Sequence, residues 1–133
     1  MIVADVNLIA YLLIDGPFTA AAQQAWDRDS DWIAPTVWHS ELLNVLATST
    51  RERHITIDTA LNVWAHAPAY IRDAEVPPLK VLTLAINTRF ATFDCYYLVL
   101  ASELNLRVVT ADKKLLKDFP HNTRSIEDFA AGK

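Results

Sequence analysis

Four acidic residues occupy positions from which their carboxylates could meet at one edge of a sheet. They are Asp5, Glu41, Asp94 and Asp112. The first ends an apolar run, the third opens a predicted helix, and the fourth closely follows the run Val108 to Thr110. In parallel sheets the carboxyl ends of strands and the starts of the following helices line one crevice, where ligands usually bind. Carboxylates so close raise one another's pKa, and a divalent cation would relieve the repulsion.

The types of donor atom predict which cation this edge of the sheet would prefer. Carboxylate oxygens without a neighbouring Cys or His favour Mg²⁺ or Mn²⁺ over zinc. The formal charge of −4 comes from 16 acids against 12 Lys and Arg, so four metal-ligating acids would leave the rest of the surface balanced. A net negative charge excludes a protein that coats nucleic acid through positive charge alone.

Each acid also has a purely structural interpretation, which the sequence alone leaves open. The aspartates at positions 5, 94 and 112 stand where aspartate commonly caps a helix and complements its dipole. Glu41 shares a helical stripe with Val37 and Val45, so it must reach solvent or find an ion-pair partner. The functional hypothesis therefore depends on the four acids taken together.

Composition limits the protein to a few classes. A chain of 133 residues with 52% hydrophobic residues predicts one domain, residues 1–133, with one core. Its two glycines, Gly16 and Gly132, are too far apart for a Walker A loop, a dinucleotide fingerprint or a nucleophile elbow. The single Cys95 excludes an internal disulfide and suits a reducing compartment. The longest apolar stretch, Leu8 to Ile14, is too short to span a membrane, so we expect a soluble cytoplasmic protein.

Strands alternate with helices along the chain, which favours a mostly parallel sheet covered on both faces. The predicted strands are Met1 to Asp5, Trp32 to Ala34, Arg107 to Thr110 and Thr123 to Ile126. The predicted helices are Val6 to Ile14, Ala20 to Arg28, Thr36 as a cap through about Arg51, Thr56 to Ala67, Leu79 to Asn87 and Thr92 to Leu104, with a short helical turn after Asp112.

Four motifs, in order along nearly the whole chain, resemble those of the PIN domain family. They are Met1-Ile-Val-Ala-Asp5-Val-Asn7, Glu41 on a mid-chain helix, Thr92-Phe-Asp94-Cys-Tyr-Tyr97 with Ala101, and Val108-Val-Thr110-Ala-Asp112. The length is also similar to that of single-domain ribonuclease toxins of the VapC kind. The resemblance implies an α/β fold, a three-layer α/β/α sandwich on a parallel sheet, and RNA cleavage that depends on Mg²⁺ or Mn²⁺. It assigns Asp5, Glu41, Asp94 and Asp112 as the catalytic, metal-binding quartet.

The resemblance also implies partners, and two positions depart from the common pattern of the family. Asn7 stands where many members have Ser or Thr, and Cys95 replaces a common Ala. Asn7 and Thr110 are expected to orient the carboxylates through hydrogen bonds, since ligating carboxylates need such support. The implied partners are the RNA substrate, a small antitoxin protein that crosses the acidic cleft, and a second copy of the chain.

Three other functions remain as alternatives. A phosphotransferase of the haloacid-dehalogenase kind needs a second aspartate where this chain has Asn7, and a receiver domain needs a lysine after a late strand that is absent here. A PIN fold that binds RNA or protein without cleaving RNA is the main rival. Two basic groups, Arg51 with Arg53 and His54, and Lys113 with Lys114 and Lys117, could contact phosphates. Such groups are more often solvated faces or helix-end charges, so neither is assigned as a binding site.

Overall fold

The computed structural model describes all residues from Met1 to Lys133. Its strands are β1 (Ile2–Ala4), β2 (Trp32–Pro35), β3 (Ile71–Ala74), β4 (Val108–Thr110) and β5 (Thr123–Ser125). Its helices are α1 (Val6–Leu13), α2 (Thr19–Arg28), α3 (Trp38–Arg51), α4 (Ile57–His66), α5 (Pro78–Thr88), α6 (Thr92–Leu104), α7 (Lys113–Asp118) and α8 (Ile126–Ala130), with a short 3₁₀ turn at Ala67–Ala69.

The five strands form one sheet in the order β3-β2-β1-β4-β5, and every neighbouring pair is parallel. The first strand of the chain therefore lies at the centre of the sheet. Its register with β4 places Val3 opposite Val108 and Ala4 opposite Val109. The residues that follow Ala4 and Val109 along the chain are Asp5 and Thr110. They consequently lie side by side at the carboxyl edge of the sheet.

Helices cover both faces of the sheet, which confirms the predicted α/β/α sandwich. The longer helix α6 lies against β1, β2 and β4, and α5 packs on α6. The helices α1, α2 and α8 pack together, and α1 and α8 contact β4. The buried apolar side chains form one cluster, with Trp32 and Trp38 as its largest fully buried members. This rigid centre holds the carboxyl edge of the sheet in place.

The structure corrects the sequence analysis at three local features. It contains the strand β3, which the sequence did not predict because the segment Ile71–Ala74 includes a charged pair and is buried only in part. Thr36 does not cap α3, which begins at Trp38. Its hydroxyl instead donates to the Ala74 carbonyl at 3.2 Å, so it joins β3 to the end of β2. The last strand ends at Ser125, because Ser125 caps α8 through the Asp128 N–H.

No helix of the structure combines the length and the apolar character needed to cross a bilayer.

Candidate functional site

Asp5 lies at the centre of the carboxyl edge and is only 8% exposed. Its Oδ1 accepts a hydrogen bond of 2.7 Å from the Val6 N–H, so Asp5 is the N-cap of α1. Its Oδ2 accepts a bond of 2.5 Å from the Thr110 hydroxyl. Burial raises the pKa of Asp5 from 3.8 to about 6, and these two hydrogen bonds oppose the rise. Asp5 thus caps α1, and its burial makes the ionised carboxylate unfavourable when no cation is bound.

Thr110 connects two of the four acids. It is fully buried, donates to Asp5 and accepts a bond of 3.0 Å from the Asp112 N–H. Asp112 in turn caps α7, because its Oδ1 accepts bonds of 2.9 and 3.1 Å from the N–H groups of Lys114 and Leu115. Thr110 therefore holds the carboxylate of Asp5 and the backbone of Asp112, and its supporting role at a metal site stays a prediction.

Glu41 lies at the edge of the apolar face of α3 and points toward α6. Its Oε1 accepts a hydrogen bond of 2.8 Å from the hydroxyl of Tyr97, which is 2% exposed. Its partner is therefore a phenol and not the cation of an ion pair. Burial, helped by the charges of Asp5 and Asp94, raises the pKa of Glu41 from 4.5 to about 7, and the bond from Tyr97 opposes the rise. This carboxylate is held beside the other acids at a cost in electrostatic free energy.

Asp94 lies in the first turn of α6, where its charge complements the helix dipole. Burial raises its pKa, the charge of Asp112 raises it further, and the charge of Lys114 opposes both. The Lys114 ammonium itself lies over the Phe90 ring, 4.7 Å from its centroid. Asp94 therefore lies near the negative charge of Asp112 and the positive charge of Lys114.

The four carboxylates share one neighbourhood, as the mutual charge effects on their pKa values indicate. No group of three or more His, Cys, Asp or Glu side chains is arranged closely enough to hold a metal ion as the side chains stand. The donor chemistry nevertheless fits Mg²⁺ or Mn²⁺, since every candidate ligand is a hard carboxylate oxygen. The raised pKa values also fit, because a divalent cation would stabilise the ionised forms that burial disfavours.

Of the two residues expected to orient the carboxylates, only Thr110 contacts an acid in the structure. Thr110 bonds directly to an acid, whereas Asn7 lies half-buried in α1 and its side chain forms no hydrogen bond within the chain. The role of Asn7 stays a prediction. The sequence motif contains Tyr97 but predicts no role for it at the site, although Tyr97 follows Asp94 by three residues and so shares its helix face. That spacing was the available signal for a polar contact at the site.

The Tyr97→Phe variant is expected to bind Mn²⁺ about tenfold more weakly, because Glu41 loses the bond that orients it. The phenyl ring keeps the packing of the buried side chain, so the variant should fold. Calorimetric titration of the purified chain with Mn²⁺ measures the effect. Tyr96→Phe is the matched control, because Tyr96 is half-buried and its hydroxyl forms no hydrogen bond within the chain. Equal Mn²⁺ affinity for the two variants would contradict the assigned role.

Comparisons with known proteins agree with this architecture. The sequence profile of the PIN domain matches residues 2–121. The crystal structure of PAE2754 from Pyrobaculum aerophilum is similar with a TM-score of 0.76 and 19% sequence identity, over 98% of this chain and 92% of that one. At this identity the likeness is one of fold. A comparison with curated proteins found no match.

Proposed function

Because this chain belongs to the PIN domain family, we propose that it is an endoribonuclease that hydrolyses RNA phosphodiester bonds with Mg²⁺ or Mn²⁺. PIN domains are generally nucleases, and the family gives the reaction class. The observation that carries the proposal is the placement of Asp5, Glu41, Asp94 and Asp112 around the carboxyl edge of β1 and β4. Buried acids whose pKa values are raised by burial and by one another are typical of functional sites.

The residues of the chain have distinct parts in the proposed reaction. The four carboxylates would hold the cation, which when bound supplies an activated water for in-line attack and neutralises charge on the phosphate. Thr110 holds Asp5 and Asp112 in position, and Tyr97 holds Glu41. The pKa values of Asp5, Glu41 and Asp94 are raised, so protons should compete with the cation for these three carboxylates.

Cleavage of a mixed panel of structured RNAs by the purified chain tests the proposal. We expect cleavage with Mg²⁺ or Mn²⁺ and none in EDTA, because the carboxylates alone offer no nucleophile to the phosphate. Absence of cleavage with either ion, in protein shown by calorimetry to bind that ion, would favour a PIN fold that only binds RNA or protein.

We further propose that the chain is the toxin of a toxin-antitoxin pair and acts in the cytoplasm. Its similarity in length and motif order to single-domain toxins supports this, and an antitoxin with a basic side chain would complement the acidic site. Induced expression of the chain alone in a bacterial host should arrest growth. Growth equal to that of an Asp5→Asn strain at the same protein level would contradict the toxin assignment.

The chain is also proposed to work as a homodimer. The helix α5 exposes three apolar side chains on one face, Leu79, Leu82 and Ile86, at 74%, 53% and 68%. Exposed apolar surface of this kind is typical of protein interfaces. The solution mass of the purified chain, measured by light scattering, should equal that of two copies.

A further inference from the structure

A groove lies at the opposite end of the sheet from the carboxylates, and we name it the amino-edge groove. It has a volume of about 530 Å³ and runs past the start of β1 and the segments that precede β4 and β5. Apart from one acid, its polar side chains come from α6 and the residue that caps it, from the two segments and from β5. They are Ser102, Asn105, Arg107, His121, Asn122 and Arg124. The strand β1 separates this groove from Asp5, so the two sites are distinct.

The charge of the amino-edge groove is opposite in sign to that of the whole chain. Arg107 and Arg124 contribute two permanent positive charges, and neither forms an ion pair. The one acid in the lining, Asp29, is already engaged: it accepts a bond of 2.9 Å from the Asp31 N–H and pairs with the Met1 amino group at 2.6 Å. In a chain of net charge −4, a groove with uncompensated guanidinium groups selects an anion.

Arg124 provides a second and independent observation. Its Nε is buried and has no hydrogen-bond partner, which costs free energy in the folded chain. Its guanidinium lies 5.4 Å from the centroid of Phe129, and the guanidinium of Arg28 lies 5.7 Å from the same ring. Neither cation forms an ion pair, so the positive charge beside this wall of the groove is not compensated within the chain.

The remaining polar groups of the groove have unused capacity. The side chains of Ser102, Asn105, His121 and Asn122 form no hydrogen bonds within the chain. Hydroxyl and amide groups of this kind can donate to several oxygens of one ligand. Guanidinium groups match the oxygens of a phosphate in a two-pronged geometry, and the groove volume is within the range usual for small ligands.

We propose that the amino-edge groove binds the phosphate group of a nucleotide or of an RNA strand through Arg107 and Arg124. The ligand makes no contact with the four carboxylates and is not cleaved where it binds. If it is part of an RNA chain, the groove anchors that chain at a distance from the reacting bond. If it is a free nucleotide, the protein has a second ligand site.

The test uses the full chain in EDTA, so that neither metal binding nor RNA cleavage is required. NMR titrations of ¹⁵N-labelled protein use inorganic phosphate, adenosine monophosphate and a six-nucleotide single-stranded RNA. We expect shifts in the amide signals of Arg107 and of residues 121–124. Arg107→Gln and Arg124→Gln should each weaken binding about tenfold. Arg89→Gln is the matched control, since Arg89 is an exposed cation outside the groove, and it should change the affinity by less than about twofold.

Two comparisons within this experiment identify the source of the phosphate. Equal affinity for the mononucleotide and the RNA would assign a free nucleotide. Tighter binding of RNA, with a weaker salt dependence in both groove variants, would assign the RNA backbone. Arg107 is exposed, so Arg107→Gln should fold normally and still tests the groove if Arg124→Gln lowers the melting temperature. Unshifted groove signals, or affinities for all three probes that survive both substitutions, would overturn the proposal whether or not the chain cleaves RNA.

Discussion

The Asp5→Asn variant is expected to lose RNA cleavage by at least about a hundredfold, which is the largest effect of any single substitution proposed for this chain. The change removes one negative charge from the acid at the centre of the site. The amide oxygen can still accept the bond from the Val6 N–H, so the cap of α1 is kept. Cleavage rates at saturating Mn²⁺, with the melting temperature measured in parallel, separate a loss of chemistry from a loss of folding.

Asp58→Asn provides the matched control for this experiment. Asp58 is an exposed acid in the first turn of α4, away from the carboxyl edge, and removal of its charge should leave the cleavage rate within about twofold. Retention of wild-type cleavage by the Asp5→Asn variant would contradict the assigned site. An equal loss in both variants would show that net charge, and not this position, controls the rate.

The second large effect expected is a loss of stability of the metal-free chain as the pH rises from about 4 to about 7. Burial raises the pKa of Asp5 from 3.8 to about 6 and that of Glu41 from 4.5 to about 7. Both groups therefore bind protons more tightly in the folded chain than in the unfolded chain, so folding is favoured at low pH and weakened as they ionise. For Asp5 alone the expected loss is of the order of 3 kcal/mol.

Urea unfolding in EDTA at several pH values from about 4 to about 8 measures this loss. Mn²⁺ should restore stability, and should restore more of it at pH 8 than at pH 5, because protons compete with the cation at low pH. The pKa values of Asp29 and Asp73 are lowered, so those residues affect stability below about pH 4 and do not mask the trend. The Asp5→Asn variant should show a shallower slope. Constant stability of the wild-type chain across this range would contradict the proposed electrostatic cost.

The sequence was sufficient to predict the fold where the elements consist almost only of apolar residues. The centre of the sheet, β1 and β4, consists of short buried runs, and these were predicted because each contains almost only apolar residues. The edge strand β3 was not, because its pattern Ile-Arg-Asp-Ala depends on pairing with β2. Edge strands need only partial burial, so their sequences resemble loops.

Some features of the candidate site could also be predicted from the sequence, and others could not. The order of the four acids could be predicted from the motifs, and the register of β1 with β4 explains why Asp5 meets Thr110. The contact between Tyr97 and Glu41 could not, because it depends on how α6 crosses α3, which no local pattern encodes. Similarly, the amino-edge groove joins residues from both ends of the chain, and neither end alone suggests it.

The hydrogen bond from Thr110 to Asp5 joins residues 105 positions apart, and this separation has a consequence for biosynthesis. The first strand leaves the ribosome early but gains its neighbour β4 only when most of the chain has been made. Parallel pairing over such a separation is slow, because a long loop must be closed before the contact forms. The acidic centre consequently cannot form before β4 and Asp112 have been made, so a nascent chain or one truncated before β4 lacks it.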